Sequence, residues 1–146
     1  MKNQEIAKIF SEIAVILEME DVAFKPQAYE RAAMGLETLS EDVEKIYEQG
    51  GIKALEELPG VGKSIAEKIV EYLKTGKIKE YRQMKKKMPV DIEKLMGVEG
   101  LGPKKISILY KVLGIKNLKD LEKAVKAGKI RKLENFGEKS EQNILE

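Results

Sequence analysis

Residues 58–69 read LPGVGKSIAEKI, and this stretch decides how the chain is interpreted. Its Gly62-Lys63-Ser64 resembles the end of an ATP-binding Walker A loop, G-x-x-x-x-G-K-[ST], which requires a glycine at position 57. Position 57 is Glu57, and the preceding segment GGIKALEEL is typical of a short helix rather than of the strand that feeds such a loop. The stretch is therefore interpreted as a tight glycine–apolar–glycine turn that opens an amphipathic helix.

The composition limits the classes of protein to which the chain can belong. Its 146 residues suffice for one compact domain or two small ones. The lack of cysteine and histidine excludes disulfides, thiolate or imidazole metal ligands, and Ser-His or Cys-His nucleophiles. No apolar run approaches the roughly 18 residues of a membrane helix, and the N-terminus is not signal-like. These features predict a soluble protein of the cytoplasm that does not bind membranes.

The charges divide the chain into two parts. Residues 1–82 contain 12 Lys and Arg against 16 Asp and Glu, whereas residues 83–146 contain 15 against 9. The second part is therefore better suited to a polyanion than the first. A lysine-rich surface that is merely solvated explains the same numbers, so charge alone leaves both interpretations open.

Periodic apolar residues predict helices along almost the entire chain, and no alternating strand pattern of useful length appears. The predicted fold class is therefore an all-α helical bundle with short connections. Ser40 is the expected N-cap of one helix, and Pro89 is expected to start another. The predicted helices cover 3–19, 26–39, 41–50, 52–57, 63–74, 79–88, 90–95, 103–113, 118–127 and 138–145.

The glycine turn recurs along the chain. Gly60-Val61-Gly62 matches Gly100-Leu101-Gly102, which lies 40 residues later, and Asn135-Phe136-Gly137, a further 35 residues on. Each turn follows a short apolar segment and opens an amphipathic helix. Asn135 is a sensible substitute for glycine because asparagine tolerates the left-handed backbone conformation. The sequence thus predicts three copies of one supersecondary unit.

Such a unit has the properties of a phosphate-binding site. The permissive residues let the chain reverse tightly, and the apolar residue anchors the turn in the core. The glycines leave the backbone amides uncovered, and the following helix directs its unpaired N–H groups and the positive end of its dipole at the same place. Because the unit contacts no base, it is expected to bind nucleic acid without sequence preference.

The unit resembles the helix-hairpin-helix motif of DNA repair proteins. LPGVGKSIAEKIVEYLKTGKI, which follows AYERAA and precedes VEGLGPKK, is similar to the N-terminal region of family X DNA polymerases, the DNA polymerase beta type. The third turn resembles the bacterial and archaeal branch, which implies a nucleoid-associated prokaryotic protein. The resemblance implies two subdomains: a lyase-type helical domain over 1–82 with the first hairpin, and a second helix-hairpin-helix subdomain over 83–146 with a partial third.

The resemblance implies that Lys68 is a nucleophile that removes a 5′-deoxyribose phosphate through a Schiff base. A primary amine can attack the aldehyde carbon of an opened abasic sugar, and the resulting iminium favours elimination of the phosphate. A cationic neighbour such as Lys63 could lower the pKa of Lys68. The alternative is a solvated helix lysine that pairs with Glu71 or Ser64.

The resemblance also implies which residues contact DNA. Tyr29 and Lys25 match pocket residues of the family, and Phe24 stands where a relative has a histidine and could stack on an unpaired base. Glu56 and Ser64 stand where the family has phosphate-binding lysines, and Glu56 therefore places the lyase activity in question. The implied contacts are Phe24, Lys25, Tyr29, Gly60, Val61, Gly62, Lys63 and Ser64 around the first turn, and Gly100, Leu101, Gly102, Pro103, Lys104 and Lys105 around the second.

The hairpins of this family hold a monovalent cation, Na⁺ or K⁺, through backbone carbonyls. The matching positions are Glu56, Leu58 and Val61 in the first hairpin and Met96, Val98 and Leu101 in the second. The lyase chemistry requires no cofactor. Mg²⁺ belongs to the polymerase palm, which needs paired carboxylates on strands, and the scattered Asp residues do not supply them.

Three functional hypotheses follow from this resemblance. The chain is expected to be the N-terminal part of a longer polymerase, or a stand-alone module, that binds gapped or nicked duplex DNA with a 5′-phosphate and acts as a lyase in repair. The second hypothesis is the same DNA-binding module without catalysis. The third is a helical domain whose hairpins contact protein. The partners are accordingly DNA and the rest of the polymerase chain.

Overall fold

The computed structural model describes residues 1–131 of the chain, and this part contains eight helices and no strand. The predicted all-α fold is therefore confirmed. Two of the predicted ranges, 3–19 and 103–113, agree with the structure at both ends. In chain order the helices are α1 (Asn3–Met19), α2 (Lys25–Thr38), α3 (Val43–Glu56), α4 (Lys63–Thr75), α5 (Lys79–Lys87), α6 (Ile92–Met96), α7 (Pro103–Leu113) and α8 (Leu118–Lys126).

The start of α3 differs from the prediction. Ser40 is not its N-cap; Asp42 is, and its carboxylate accepts a hydrogen bond from the Glu44 N–H at 3.0 Å. The reason is a contact from α1 that local patterns do not reveal. The Asn3 side chain accepts from the Val43 N–H at 2.9 Å and so keeps the preceding backbone outside the helix. Asp42 therefore caps the helix in place of Ser40, because its position is compatible with this contact.

The end of the same helix agrees with the sequence. Gly51, with φ 69° and ψ −165°, breaks α3 into the two segments that the pattern predicted on either side of Gly50-Gly51. The next helix, α4, runs one residue beyond the predicted range 63–74 and ends at Gly76, which adopts the left-handed conformation with φ 76°.

Pro89 does not start α6, contrary to the prediction. Asp91 is the N-cap, and its side chain accepts from the Lys94 N–H at 3.4 Å. The residues before it are held outside the helix, because Val90 is buried in the core and the Asp91 N–H donates to the Lys116 carbonyl at 2.8 Å. Tertiary contacts again move the start of the helix by two residues.

The buried side chains form two hydrophobic clusters. The first cluster lies among α1 to α4 and includes Phe10, Leu36, Leu55 and Ile69. The second lies among residues 88–130 and receives Ile16 and Met19 from α1, so that α1 packs in both clusters. The division of the chain at residue 82 stays a prediction. The third turn at Asn135-Phe136-Gly137 and the helix over 138–145 lie outside the described residues.

Candidate nucleic-acid interface

The first hairpin consists of α3, the turn at residues 57–62, and α4. Its turn reverses at Gly60, which has φ 80°, a conformation that favours glycine. Val61 is buried and anchors the turn, and its N–H donates to the Leu58 carbonyl at 3.1 Å. The Gly62 carbonyl accepts the first bond of the new helix, from the Ala66 N–H at 2.9 Å.

The second hairpin, α6, residues 97–102 and α7, repeats this geometry bond for bond. Gly100 has φ 87°, and the N–H of the buried Leu101 donates to the Val98 carbonyl at 3.1 Å. The Gly102 carbonyl accepts from the Ile106 N–H at 3.0 Å. Each bond lies 40 residues after its counterpart, so the structure confirms the repeat for the first two copies.

The last glycine of each turn is not required by the protein's own packing. Gly62 (φ −91°, ψ −177°) and Gly102 (φ −106°, ψ 179°) are extended, a conformation open to other residues. A Cβ atom added at either position would meet no protein atom within 4 Å. Neither helix start has a side-chain cap, and α7 begins with Pro103 as predicted. Both turns therefore leave helix amides open to a ligand.

A cavity of about 760 Å³ opens beside the first turn, and it is called the Lys68 cavity here. It joins α2, the turn, α4 and the first turn of α5. It brings together most of the predicted site residues of this hairpin, but neither Phe24 nor Glu56 lines it. Its lining consists of Lys25, Ala28, Tyr29, Arg31, Gly60, Val61, Gly62, Lys63, Ser64, Ile65, Lys68 and Glu80.

Lys68 lines this cavity, and its side chain is only 16% exposed. Its Nζ lies 3.0 Å from Oε2 of Glu80 and donates to Oγ of Ser64 at 3.5 Å. The predicted alternative partner Glu71 is wrong, because its Oε2 accepts from the Lys79 N–H at 2.8 Å. The lysine is therefore paired with a carboxylate from the next helix.

This pairing fixes the charge state of Lys68. Burial by itself disfavours the ammonium form, but the hydrogen bond that Lys68 donates to Glu80, the contacts with Tyr29 and the Glu80 charge together raise the pKa of Lys68 above its usual range. The pKa is thus raised rather than lowered, and Lys63 is not among the groups that shift it. At neutral pH Lys68 is an ammonium ion, which is suited to binding a phosphate.

Tyr29 forms one wall of the cavity and also belongs to the core. Its ring is buried and makes an edge-to-face contact with Phe10, with ring centroids 5.6 Å apart. The Lys68 Nζ lies 6.0 Å from the centroid of the Tyr29 ring. Burial raises the pKa of the Tyr29 hydroxyl, so this group is neutral at physiological pH. Tyr29 is therefore both a core residue and a wall of the cavity.

Two charged residues of the cavity were not predicted from the sequence. Arg31 adds a cation from α2, and Gly60 packs against the backbone of this same residue. Glu80 adds a carboxylate from α5, twelve residues beyond Lys68. The carboxylate expected to disturb phosphate binding was Glu56, which instead ends α3 half-buried and outside the cavity lining. No helical periodicity links Glu80 to Lys68, so only the tertiary fold reveals the pair.

The remaining predicted site residues lie near the cavity or at the second hairpin. Phe24 is 85% exposed directly before α2, in a left-handed conformation with φ 68° that is unusual for a non-glycine residue. Lys104 is exposed in the first turn of α7, and Lys105 is half-buried. Neither lysine reaches the Lys68 cavity, so the two hairpins present separate surfaces.

The predicted sites for a monovalent cation consist of backbone carbonyls, and two of these carbonyls accept hydrogen bonds within the turns. The carbonyls of Leu58 and Val98 each accept one amide hydrogen bond, and a carbonyl oxygen has a second lone pair. Within residues 1–131 no group of three or more acidic side chains is arranged to hold a metal ion. The monovalent cation at Glu56, Leu58 and Val61, and its counterpart at Met96, Val98 and Leu101, stay predictions.

Comparison with known proteins agrees with the repeated hairpin. A helix-hairpin-helix domain family matches residues 1–78, and a SAM-like helix-hairpin-helix tandem family matches residues 92–146.

The chain belongs to the helix-hairpin-helix domain family.

This helix-hairpin-helix chain is also 34% identical, over its whole length, to the DNA polymerase/3′-5′ exonuclease PolX of Bacillus subtilis (strain 168). The alignment falls in the N-terminal region of the relative, and the predicted resemblance is confirmed. The chain spans about a quarter of that relative's length. The two findings together support DNA binding. No helix in the described part of the chain is long and apolar enough to cross a bilayer.

Proposed function

We propose that this chain is a DNA-binding module of a family X DNA polymerase that acts in repair. Its first hairpin holds the 5′-phosphate at a gap or nick, and its second hairpin contacts phosphodiester groups of the flanking duplex. The observation that carries the proposal is the pair of uncapped helix starts behind open glycine turns at Gly62 and Gly102, one of which leads into a cationic cavity.

The charges of the cavity favour a phosphate over a base. Lys25, Arg31, Lys63 and Lys68 line it, against the single carboxylate of Glu80 among its described lining residues. A phosphate in the cavity would gain hydrogen bonds from the amides of the turn as well as from these side chains. None of these contacts depends on base identity, so binding is expected to be independent of sequence.

Binding to gapped duplex DNA tests the proposal. Fluorescence anisotropy with a one-nucleotide gap should show tighter binding when the downstream strand carries a 5′-phosphate than when it ends in a hydroxyl. Affinity should fall steeply with salt, because each neutralised phosphate releases counterions. Binding with no salt dependence, or no DNA binding by a folded sample, would instead favour a module that contacts protein.

A deoxyribose phosphate lyase activity of Lys68 is the second candidate function. It is supported by the position of this amine, which is largely buried in the Lys68 cavity beside Ser64 and Tyr29. The neutral amine would add to the aldehyde carbon of an opened abasic sugar, and loss of water would give an iminium ion. A proton would then pass from the adjacent carbon to water as the bond to the downstream phosphate breaks. Hydrolysis of the imine would return the amine.

Borohydride trapping with a 5′-abasic substrate tests this activity. The wild type should form a covalent adduct that Lys68→Ala does not form. Lys74→Ala is the matched control, because Lys74 lies exposed in the last turn of the same helix. Since the pKa of Lys68 is raised, the adduct should form faster with increasing pH from 7 to 10. Equal trapping by Lys68→Ala would refute the assignment of the nucleophile.

The hairpin cation completes the proposal. A Na⁺ or K⁺ ion held by the carbonyls of each turn would face a DNA phosphate and partly neutralise it. Exchange of KCl for tetramethylammonium chloride at constant ionic strength should then weaken DNA binding, because the larger ion does not fit between carbonyl oxygens. Identical affinity in the two salts would contradict the cation site. Mg²⁺ and nucleotide transfer would belong to the rest of the polymerase.

A further inference from the structure

The Lys68 cavity contains an anion that belongs to the protein itself. Glu80 is the sole carboxylate among the described residues that line the cavity, and its Oε2 lies 3.0 Å from the Lys68 Nζ. The Glu80 side chain is 47% exposed, whereas that of Lys68 is 16% exposed. The carboxylate is therefore the more solvent-exposed member of the pair.

We propose that Glu80 is a positioning residue that competes with the DNA 5′-phosphate for Lys68. In the free protein its carboxylate neutralises and orients the Lys68 ammonium, and an entering phosphate displaces it toward solvent. The proposal rests on the proposed phosphate-binding function and adds a selectivity step to it, since only a ligand with a strong negative charge can replace the carboxylate.

The backbone around Glu80 suits a side chain that moves alone. Glu80 is the second residue of α5, and the N–H of the first, Lys79, is held by the Glu71 carboxylate at 2.8 Å. The helix start is thereby tied to α4, so the carboxylate can swing out without a change of the backbone. A half-exposed ion pair is weak enough for a bound ligand to replace.

The charges in the cavity explain why the Glu80 carboxylate must move away when a phosphate binds. A phosphate that approached Lys68 with Glu80 still in place would bring two anions within a few ångströms of each other. The other charged or titratable groups facing the lysine are Lys25, Tyr29 and Arg31 from α2 and Lys63 from α4. The three cations of this set attract the phosphate, and Tyr29 is neutral. Glu80 is therefore the group that opposes entry.

The decisive experiment compares Glu80→Gln with wild type on gapped DNA that ends in a 5′-phosphate or a 5′-hydroxyl. Glu80→Gln should bind the phosphorylated DNA about three- to tenfold more tightly and the hydroxyl DNA nearly unchanged, as expected for removal of one partly screened charge. Glu67→Gln is the matched control, because Glu67 is an exposed carboxylate beside Lys68 in sequence that does not line the cavity. It should change both affinities slightly and equally.

A measurement without DNA tests the contact itself. The Lys68 amine can be titrated by NMR of its side-chain methylene carbon in lysine-labelled protein. In Glu80→Gln the pKa of Lys68 should fall, because burial remains while the carboxylate is lost. In Glu67→Gln it should stay within a few tenths of a unit of the wild type.

The outcomes separate the two proposals. A 5′-phosphate preference in the wild type with no gain in Glu80→Gln refutes the role of Glu80 alone, as does an unchanged Lys68 pKa. No preference in either protein refutes the phosphate-binding function, and the competition falls with it, even where the NMR titration shows the ion pair. Tighter binding together with a lowered pKa supports the competition.

Discussion

Gly60→Ala should destabilise the protein far more than the same change at the equivalent glycine of the second hairpin. Gly60 and Gly100 both have positive φ, at 80° and 87°. Their surroundings differ. A Cβ at Gly60 would lie 2.8 Å from the Arg31 carbonyl oxygen and 3.0 Å from its carbon, whereas a Cβ at Gly100 would meet nothing within 4 Å. The two positions therefore separate backbone strain from close packing.

The expected magnitudes follow from these two contributions. The left-handed conformation costs a residue with a Cβ about 1–2 kcal/mol, and this applies to both variants. At Gly60 the methyl group must also push the turn away from the α2 backbone, and overpacking of this kind costs about 1–3 kcal/mol more. We expect a loss of roughly 2–5 kcal/mol for Gly60→Ala and roughly 1–2 kcal/mol for Gly100→Ala.

Urea unfolding followed by circular dichroism at 222 nm measures the total loss. Amide hydrogen exchange reports on each hairpin separately, through the Ala66 and Ile106 N–H groups that open α4 and α7. Gly60→Ala should speed exchange at Ala66 most strongly. Equal losses for the two variants would show that the contact between Gly60 and α2 does not constrain the turn, and the reasoning would be refuted.

Three further predictions concern other positions. Gly62→Ala and Gly102→Ala should leave stability unchanged or raise it by up to about 1 kcal/mol, since both backbones are extended. Both variants should nevertheless weaken binding of gapped DNA, and unaltered affinity would contradict the proposal that the turns are open to a phosphate. Tyr81→Phe, which removes the phenol that donates to Glu12, should cost about 1 kcal/mol at pH 7 in urea unfolding. Burial and, after it, the contact with Glu12 raise the pKa of Tyr81 on folding. Wild-type stability should therefore fall as pH rises above about 10, and the phenylalanine variant should lose less. Parallel pH profiles of the two proteins would argue against the contact between Tyr81 and Glu12. Asp42→Ala should cost about 1 kcal/mol in thermal unfolding through loss of the α3 cap, and an unchanged midpoint would assign the start of α3 to other contacts.

The sequence was sufficient where the structure depends on neighbours along the chain. The periodic pattern predicted α1 and α7 to the residue, because an apolar stripe and its flanking polar residues are local information. The turns at Gly60 and Gly100 were equally accessible, since the positive φ and the buried residue that follows lie within a few residues of each other. Most of the residues that line the cavity around Lys68 were implied by the resemblance to family X polymerases rather than by local pattern.

The sequence was insufficient where a contact crosses between elements. Serine and aspartate are both favoured N-cap residues. Only the contact of Asn3 in α1, nearly 40 residues away, selects Asp42 over Ser40. Glu80 could not be predicted in the cavity because its position depends on how α5 packs against α4. Together with Tyr29, that carboxylate outweighs the effect of burial and raises the pKa of Lys68, so the missed contact bears directly on the chemistry of the site.

The placement of α1 in both hydrophobic clusters affects how the protein tolerates shortening. One face of the helix supplies Phe10 and Ile13 to the first cluster, while Ile16 and Met19 pack in the second. Removal of residues 3–19 would therefore expose apolar surface beneath both hairpins at once, and neither turn would keep its geometry. DNA bound at one hairpin should conversely slow hydrogen exchange at the other, because both are stabilised through a shared helix. We therefore expect the two proposed phosphate contacts to depend on each other.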